Sequence, residues 1–558
     1  MAPTAQSRAA TPPRAGAPSR AELAAIAAIT AAACVLRAWN LLELRAHDPF
    51  FYGPSVDERM YHEWASAIAR GAGFGDAVFL NGPAYPAFLA AIYALTGPSL
   101  LAAKAVQCAL GGLDALLVWG LGRRLLGPGI ALGAAAIYAL YELAIFYPAT
   151  LLLEGAQDTL VLALLWFTTR AIESDHRVHW AAAGACCGAA ALARPSALLF
   201  AAALTGWAAL RPGAAPSRRA GSALAFAAGV VLLVSPATLH NARVGGDFVL
   251  VTYAGGMNLF IGNNPDATGE FRVPPLVPTA LADDPDEQRA VFAALAERAS
   301  GRALRPSEVS AFWTRRALDF AREQPAAWLR LMARKIALSF NAYEPWNVRS
   351  LTLARDASAV LRLPLLGFGA ILPFAALGLW TTRGSWPRLV PLYAWLGSVW
   401  LTLWTFFVVS RYRVAAAPVL ALFAAAGAAS AWDALRAPRA RGLAAVALAL
   451  ASLSLAAHWP IARENPGVAY YNLGNRFRER GEPERAIEAY RQALVWTPSY
   501  LSAINNLALA CEAAGRRDEA VKTWRALRAQ AQGQGSPGHV ERAVRHLRAL
   551  GADPDAAD

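Results

Sequence analysis

The segment Ser55–Trp64, with the sequence SVDERMYHEW, lies between a first long apolar segment and the strongly apolar remainder of the chain. Charged side chains beside a membrane anchor are costly unless they are solvated or serve a function. If Asp57 begins a short helix, its carboxylate lies at the positive end of the helix dipole, and Tyr61 follows one turn later. A carboxylate held there is able to act as a general base toward an incoming hydroxyl or amine. A solvated helix at the membrane surface is the alternative interpretation of the same residues.

The composition indicates a membrane protein. Of the 558 residues, 56% are hydrophobic and only 16% are charged, and apolar runs long enough to cross a bilayer recur up to about residue 460. The formal net charge of +13 does not indicate a nucleic-acid partner, because much of the excess lies in short arginine clusters between the apolar runs. The five cysteines show no metal-ligand spacing and do not predict a disulfide framework.

Hydropathy and charge together predict about eleven membrane-spanning helices in a domain covering residues 21–460. The arginine clusters then fall on the cytoplasmic side, and the outer side receives two loops, 45–98 and 240–358. Residues 84–96 are apolar but short and are predicted to form a helix at the membrane interface. Residues 1–20 are predicted to be a disordered cytoplasmic N-terminus. The predicted spans are approximately 21–44, 99–122, 128–147, 151–170, 179–193, 196–210, 221–239, 360–380, 389–409, 413–432 and 441–459.

The tail contains an internal repeat with the 34-residue period of the tetratricopeptide repeat. Small residues allow its two helices to approach closely, and aromatic residues fill the space between them. Residues 467–550 are therefore predicted to form a C-terminal α-solenoid that binds a protein partner, capped by a helix around 540–550. The equivalent positions in the two copies are Leu473 and Leu507, Gly481 and Gly515, Ala486 and Ala520, and Tyr490 and Trp524.

Several arginines in apolar surroundings map to the predicted outer side of the membrane. Arg411 and Arg413 lie in the sequence Ser410-Arg411-Tyr412-Arg413. In one interpretation they reach from a helix end to the lipid headgroups. In the other they form a clamp for the phosphate of an anionic, lipid-linked substrate, because arginine binds phosphate through two parallel N–H groups. Arg194 and Arg243 are further candidates for the same site.

A pair of carboxylates lies inside the fourth predicted span, where Glu154 precedes Asp158 by one helical turn. An acid within a span almost always faces a cavity or a partner. One interpretation is an internal ion pair or a neutral acid that holds helices together. The other is contact with an outer cavity, because the pair lies in the outer part of the span.

These features resemble the bacterial GT-C membrane glycosyltransferases, which include the protein O-mannosyltransferases and the lipid A aminoarabinose transferase. The resemblance extends over about residues 20–460 and implies an all-α polytopic membrane fold with its active site on the periplasmic side. The motifs that carry it are Asp57-Glu58-x-x-Tyr61, Gly82-Pro83-Ala84-Tyr85-Pro86, Leu192-Ala193-Arg194-Pro195, Asn241-x-Arg243 with Gly262-Asn263-Asn264, and Ser410-Arg411-Tyr412-Arg413.

The resemblance implies a glycosyltransferase that takes a sugar from a polyprenyl-phosphate donor by a single inverting displacement. Asp57 is then the catalytic carboxylate, with Glu58 beside it. No cofactor is predicted, and adjacent carboxylates leave a divalent metal open. The aminoarabinose transferase has a lysine in the region of Asn81 and Gly82, so the donor phosphate must rest on other cations and the donor sugar stays open. The residues predicted to bind substrate are Tyr61, Glu154, Arg194, Arg243, Asn263, Asn264, Arg411 and Arg413.

Two other classes of function remain open. One is a non-catalytic membrane anchor or transporter that displays a repeat adaptor, and the other is a lipid-linked glycan polymerase or ligase. The expected location is the bacterial inner membrane, with the N-terminus in the cytoplasm and the repeats in the periplasm. The acceptor is expected to be a periplasmic protein, lipid or glycan, and no nucleic acid is expected as a partner.

Overall fold

The structure is a computed structural model in which residues 16–277, 285–436 and 440–554 are described. Of the described residues, 76% are helical. Across the described residues, β-pairing is confined to two isolated bridges, Tyr141–Leu366 and Glu270–Val408. The predicted all-α class is therefore confirmed for this part of the chain. Most of the predicted disordered segment 1–20 lies outside it.

The α-helices of the described residues are named α1 to α25 in chain order. The first ten are α1 Arg20–His47, α2 Asp57–Ala69, α3 Ala84–Thr96, α4 Leu100–Leu125, α5 Pro128–Ala139, α6 Glu142–Phe146, α7 Glu154–Ser174, α8 Arg177–Ala193, α9 Ala197–Leu210 and α10 Pro216–Gly245. The next five are α11 Gly255–Gly262, α12 Pro285–Ser300, α13 Pro306–Glu323, α14 Pro325–Ser339 and α15 Leu351–Ala357. Then follow α16 Phe368–Thr381, α17 Trp386–Thr405, α18 Ser410–Arg413, α19 Ala417–Arg436 and α20 Ala440–Ala457. The last five are α21 Gly467–Glu479, α22 Pro483–Trp496, α23 Leu501–Ala513, α24 Arg517–Gly533 and α25 Pro537–Ala549.

Within the described ranges, four helical segments are long and apolar enough to cross a membrane, namely α1, α4, α10 and Ser410–Arg436. A fifth span forms if Glu142–Ala149 and Glu154–Ser174, which are bent by 119° at their break, count as one. Five shorter apolar helices accompany them, and one of these is α3, with the bounds predicted for the interfacial helix. The chain is thus a multi-pass membrane protein, whereas the number of about eleven spans stays a prediction.

The structure interrupts the span predicted over residues 128–147. Helix α5 ends at Ala139 and α6 begins at Glu142. Between them the backbone pairs with a distant residue, because Glu142 donates its N–H to the carbonyl of Leu366, and Leu366 donates to that of Leu140. The hydrogen bonds that would continue the helix are thus replaced by long-range ones, which hydropathy does not indicate.

The chain divides into two compact units, of which the first comprises the residues up to Leu42, Pro54–Asn347 and Val360–Ala462. Helices α16 and α19 of this unit pack at glycines. A Cβ atom at Gly378 would lie 1.8 Å from the carbonyl oxygen of Phe423. Small residues at such positions let membrane helices bring their backbones into contact.

The second unit combines the chain from Arg463 onward with two short segments, Glu43–Gly53 and Val348–Ala359. Helices α21–α25 pack in sequence against one another, and their core contains the fully buried rings of Tyr490 and Trp524. A Cβ atom at Gly474 would lie 2.4 Å from Cε1 of Tyr490, so the small residue at this repeat position is a packing requirement.

Polar contacts fix the two short segments within the second unit. Asp48 and Arg349 form a largely buried ion pair, and the guanidinium of Arg349 also lies 5.1 Å from the ring centroid of Phe50. Thr352 donates a hydrogen bond of 2.6 Å from Oγ1 to Glu464, just before α21. The repeat pattern in the sequence does not indicate either segment.

The glycine contact between α16 and α19 gives a stability prediction. We expect Gly378→Ala to destabilise the protein by about 1–3 kcal/mol or more, because a methyl group there overlaps a backbone carbonyl. Gly397→Ala in α17 is the matched control, since a Cβ atom at Gly397 meets nothing within 4 Å. Thermal unfolding of the purified protein in detergent measures both, and equal unfolding temperatures for the two variants would contradict the packing described.

Candidate functional site

Four helix ends from distant parts of the sequence meet in the first unit. Their side chains form a continuous series of ion pairs, which we call the acid–arginine cluster. Two carboxylates and two guanidiniums thereby compensate each other in surroundings where each alone would be costly. The cluster consists of Asp57 at the start of α2, Glu154 at the start of α7, Arg194 directly after α8, and Arg411 in α18.

The backbone before Asp57 is strained. Val56 has φ 50° and ψ −125°, and a β-branched residue rarely adopts a positive φ. Strain of this kind persists where the surrounding structure enforces it, often at functional sites. Asp57 begins α2, as predicted, and its Oδ2 lies 2.6 Å from Nη1 of Arg411.

Glu154 is the centre of the cluster. Its side chain is fully buried, and Oε1 accepts hydrogen bonds from Nη2 of Arg194 and, at 3.1 Å, from Nε of Arg411. As the first residue of α7, it also lies at the positive end of that helix. Its other oxygen, Oε2, is buried and has no hydrogen-bond partner among the described residues.

The break between α6 and α7 places Glu154 at a helix start. A broken helix in apolar surroundings leaves backbone groups that need other partners. Gln107 supplies two of them, because its Nε2 donates to the carbonyls of Pro148 (3.1 Å) and Thr150 (2.7 Å). Glu58 supplies a third, since its Oε1 accepts the N–H of Leu151 at 3.0 Å. The predicted catalytic residue Glu58 is thus buried at the break and supports its backbone.

Tyr412 lies beside both arginines of the cluster. The guanidinium carbon of Arg194 is 4.2 Å from the centre of its ring, and that of Arg411 is 5.7 Å away. The face of an aromatic ring stabilises a nearby positive charge. The Nη1 of Arg194 is buried and has no hydrogen-bond partner among the described residues, so this N–H group is free to bind a ligand.

Tyr61 lies one turn after Asp57 and is buried. Its ring packs edge-on against that of Tyr85, with 4.9 Å between the centroids. Burial, together with a smaller effect of the Asp57 carboxylate, raises the pKa of Tyr61 well above its usual value. Its hydroxyl therefore stays protonated at neutral pH and remains a hydrogen-bond donor.

The structure does not bring Arg413 to the cluster. Residues two positions apart on a helix point about 200° apart, so Arg413 leaves α18 on the side opposite to Arg411. It is fully buried, donates from Nη1 to the carbonyl of Asn341 and from Nη2 to that of Tyr343, both at 2.7 Å, and pairs with Glu344 at 2.5 Å. Its contacts hold the segment after α14 in place.

Asn263 and Asn264 are buried and also serve the backbone. The amide of Asn263 donates to the carbonyls of Leu259 and Thr405, both at 2.8 Å, and its oxygen accepts from Lys335 at 3.1 Å. The amide of Asn264 donates to two carbonyls of α11. Asn263 therefore links the end of α11 to α14 and α17, whereas Asn264 caps the carbonyl end of α11 itself.

Two further charged candidates, Arg243 and Asp158, lie outside the acid–arginine cluster. Arg243 is exposed near the end of α10. Asp158 does not share a partner with Glu154, because its Oδ2 accepts the hydroxyl of Tyr138 at 2.8 Å. The structure thus unites Asp57, Glu154, Arg194 and Arg411 among the predicted residues.

Sequence reasoning missed two polar residues at the site. The Oδ1 of Asn347 accepts a hydrogen bond of 3.2 Å from Nη1 of Arg411, and no motif singles this residue out. Gln107, which supports the helix break, is a lone amide inside an apolar span, and that isolation is a signal that could have identified it. In the part of the chain that the structure describes, no group of three or more His, Cys, Asp or Glu residues is placed to hold a metal.

Comparison with known proteins agrees with these features. Residues 81–240 match the family model described as dolichyl-phosphate-mannose-protein mannosyltransferase, and residues 474–515 match the tetratricopeptide repeat. The predicted relation to the GT-C glycosyltransferases and the predicted repeats are therefore confirmed. The family match includes Glu154 and Arg194 but neither Asp57 nor Arg411. No curated protein matches the chain.

Solved structures with similarity to the chain include an oligosaccharyltransferase from Archaeoglobus fulgidus in complex with zinc and sulfate, at 12% sequence identity and a TM-score of 0.42. That alignment covers 82% of this chain and 57% of the oligosaccharyltransferase, so the chain spans little more than half of that protein's length. ArnT from Cupriavidus metallidurans bound to undecaprenyl phosphate aligns at 14% identity with a TM-score of 0.33, covering 74% of this chain and 80% of ArnT.

The buried position of Glu154 gives a second prediction. We expect Glu154→Gln to destabilise the protein by about 3–5 kcal/mol, because it leaves two guanidiniums without their shared counter-charge. On the same helix, Glu173 forms an exposed pair with Arg124, and Glu173→Gln should cost less than about 1 kcal/mol. Thermal unfolding in detergent compares the two, and a similar small effect of both substitutions would argue against the central position of Glu154.

Lys335 gives a prediction on pH. Burial lowers the pKa of Lys335 to about 7, whereas an unfolded lysine titrates near its usual value of 10.5. Between these values the unfolded chain binds the extra proton, so the contribution of Lys335 to stability improves as the pH rises from about 7. Lys335→Met should therefore raise the unfolding temperature, relative to the unmodified protein, more at pH 6 than at pH 9. Lys522→Met, at an exposed position, should leave that difference unchanged.

Proposed function

We propose that the protein is an integral membrane glycosyltransferase, which moves a sugar from a polyprenyl-phosphate donor to an acceptor on the periplasmic face. The observation that carries this proposal is the acid–arginine cluster, in which a partly exposed carboxylate, Asp57, meets two arginines suited to a phosphate. The family match over residues 81–240 supports it, because that family is described by a lipid-phosphate sugar donor and a transferase activity.

In the proposed reaction, Asp57 is the general base. The oxygen or nitrogen nucleophile of the acceptor attacks the anomeric carbon of the sugar from the face opposite the phosphate. The bond between that carbon and the phosphate oxygen breaks, and its electron pair stays with the polyprenyl phosphate. Asp57 takes the proton of the nucleophile, so the product sugar has inverted configuration and no covalent intermediate forms on the enzyme.

The two guanidiniums stabilise the departing phosphate. The phosphate gains negative charge as the bond to the sugar breaks, and fixed cations in a water-poor site stabilise such charge most effectively. Arg194 offers the unpartnered Nη1, and Arg411 offers the N–H groups that face Asp57. These two residues replace the lysine that the aminoarabinose transferase has in the region of Asn81 and Gly82.

The proposal also includes the orientation of the protein in the membrane and a role for the tetratricopeptide repeats. The arginine clusters between the apolar segments support a cytoplasmic N-terminus and a periplasmic cluster, in the inner membrane of a bacterium. The tetratricopeptide segment supports binding of a protein, either the acceptor itself or a partner that delivers it. The sugar and the acceptor are left open.

The central prediction concerns Asp57. Asp57→Asn should lower sugar transfer by about 10²-fold or more, because the amide cannot accept the proton, while the unfolding temperature stays close to that of the unmodified protein. Mass spectrometry of envelope proteins and glycolipids checks this in cells that lack the protein and carry either form. The expected product of the unmodified protein is an acceptor heavier by a single sugar.

Asp76→Asn is the matched control, because Asp76 lies exposed in the same outer loop and outside the cluster. It should retain transfer. A membrane-bound repeat scaffold would leave the envelope unchanged by Asp57→Asn, and a glycan ligase would add a whole glycan rather than one sugar. Either result would overturn the proposed function.

A further inference from the structure

We propose that the phosphate of the donor displaces Asp57 from Arg411, so that the base is released only when the donor is bound. This inference rests on the proposed function and adds an order of binding to it. It follows from the way in which the N–H groups of Arg411 are distributed between its partners.

The guanidinium of Arg411 is occupied on two sides. Nε donates to Glu154 at 3.1 Å, and Nη1 donates to Asp57 at 2.6 Å and to Asn347 at 3.2 Å. An arginine binds a phosphate best through two adjacent N–H groups that point in parallel. Either such edge of Arg411 includes Nη1 or Nε, so a bidentate phosphate competes with a partner already in place, which is Glu154 at Nε, and Asp57 or Asn347 at Nη1.

The difference in burial between Glu154 and Asp57 indicates which carboxylate the phosphate displaces. The side chain of Glu154 is 0% exposed and bridges two guanidiniums, whereas that of Asp57 is 22% exposed and pairs with Arg411. Moving Glu154 would leave a fully buried charge without its partners, which costs far more than returning a partly exposed carboxylate to the side open to solvent. Asn347, the other partner of Nη1, is neutral and does not repel a phosphate, whereas Asp57 carries a like charge, so Asp57 is the residue that the phosphate replaces.

The same contacts supply a second anchor for the phosphate. The buried Nη1 of Arg194 has no hydrogen-bond partner among the described residues, and its guanidinium shares Glu154 with Arg411. A phosphate bound to Nη1 of Arg411 thus finds a second cation tied to the first through one carboxylate. Binding of the donor adds a negative charge to a cluster of two acids and two arginines, and the release of Asp57 offsets it.

The exchange links the two substrates. While Oδ2 of Asp57 is paired with Arg411, the guanidinium stabilises the carboxylate and makes it a weaker base toward an acceptor. Once the phosphate has taken its place, the carboxylate is free to bind the acceptor hydroxyl or amine. Because coupling between two binding sites is reciprocal, the acceptor in turn favours the donor-bound state. The donor therefore binds first and completes the acceptor site.

A binding titration tests the exchange separately from catalysis. The probe is undecaprenyl phosphate added to the full-length protein in nanodiscs, with affinity measured by native mass spectrometry. Asp57→Asn and Asp57→Ala should both bind the probe roughly three- to tenfold more tightly than the unmodified protein, because no carboxylate competes for Arg411. Asp76→Asn should bind it with unchanged affinity. Inorganic phosphate, titrated in the same way, separates recognition of the phosphate from recognition of the isoprenoid chain.

The outcomes distinguish this inference from the proposed function. Tighter binding by both Asp57 variants, together with lost transfer, supports both. Unchanged or weaker binding with lost transfer overturns the exchange and leaves the glycosyltransferase proposal standing. Retained transfer by Asp57→Asn overturns the proposed base and the inference with it. Tightening seen with inorganic phosphate alone would place a free phosphate, rather than the lipid, in the site and would also overturn the exchange.

Discussion

The bridge from Glu154 to Arg194 and Arg411 is the interaction on which the rest of the site depends. A buried carboxylate is stable only with partners, and here a single oxygen receives hydrogen bonds from two guanidiniums that come from distant parts of the sequence. The bridge thereby ties the start of α7, the end of α8 and α18 together. Asp57, at the start of α2, joins this framework through its ion pair with Arg411.

The bridge in turn requires a broken helix. Glu154 can lie at a helix start inside an apolar region because the break before it is satisfied by side chains. Gln107 and Glu58 provide these contacts. Glu58, which was predicted from the sequence to be catalytic, therefore supports the backbone at the break. The polar residues of the membrane domain are thus divided between one group that holds the chain and a smaller group that faces the site.

This division explains which parts of the fold and of the candidate site were predictable from the sequence. Residue type and apolar surroundings predicted the helix at Asp57 and the short helix α3, and they marked Glu154 and Arg411 as candidate site residues, because a charge in an apolar run needs a partner. They did not separate Arg411 from Arg413, since both satisfy the same pattern and only the rotation along α18 directs one to the cluster. Asn263, Asn264 and Asn347 are equally polar in sequence, and their partners are set by long-range packing.

The second unit shows another limit of local patterns. The repeats were recognisable from their 34-residue period, which is a local property. Their unit also contains Glu43–Gly53 and Val348–Ala359, which carry no repeat signal and are fixed by contacts such as that of Asp48 with Arg349. The first segment ends four residues before Asp57, and the second begins directly after Asn347. Two partners of Arg411, Asp57 and Asn347, therefore lie close in sequence to segments of the second unit, and the repeat pattern alone does not indicate where these segments belong.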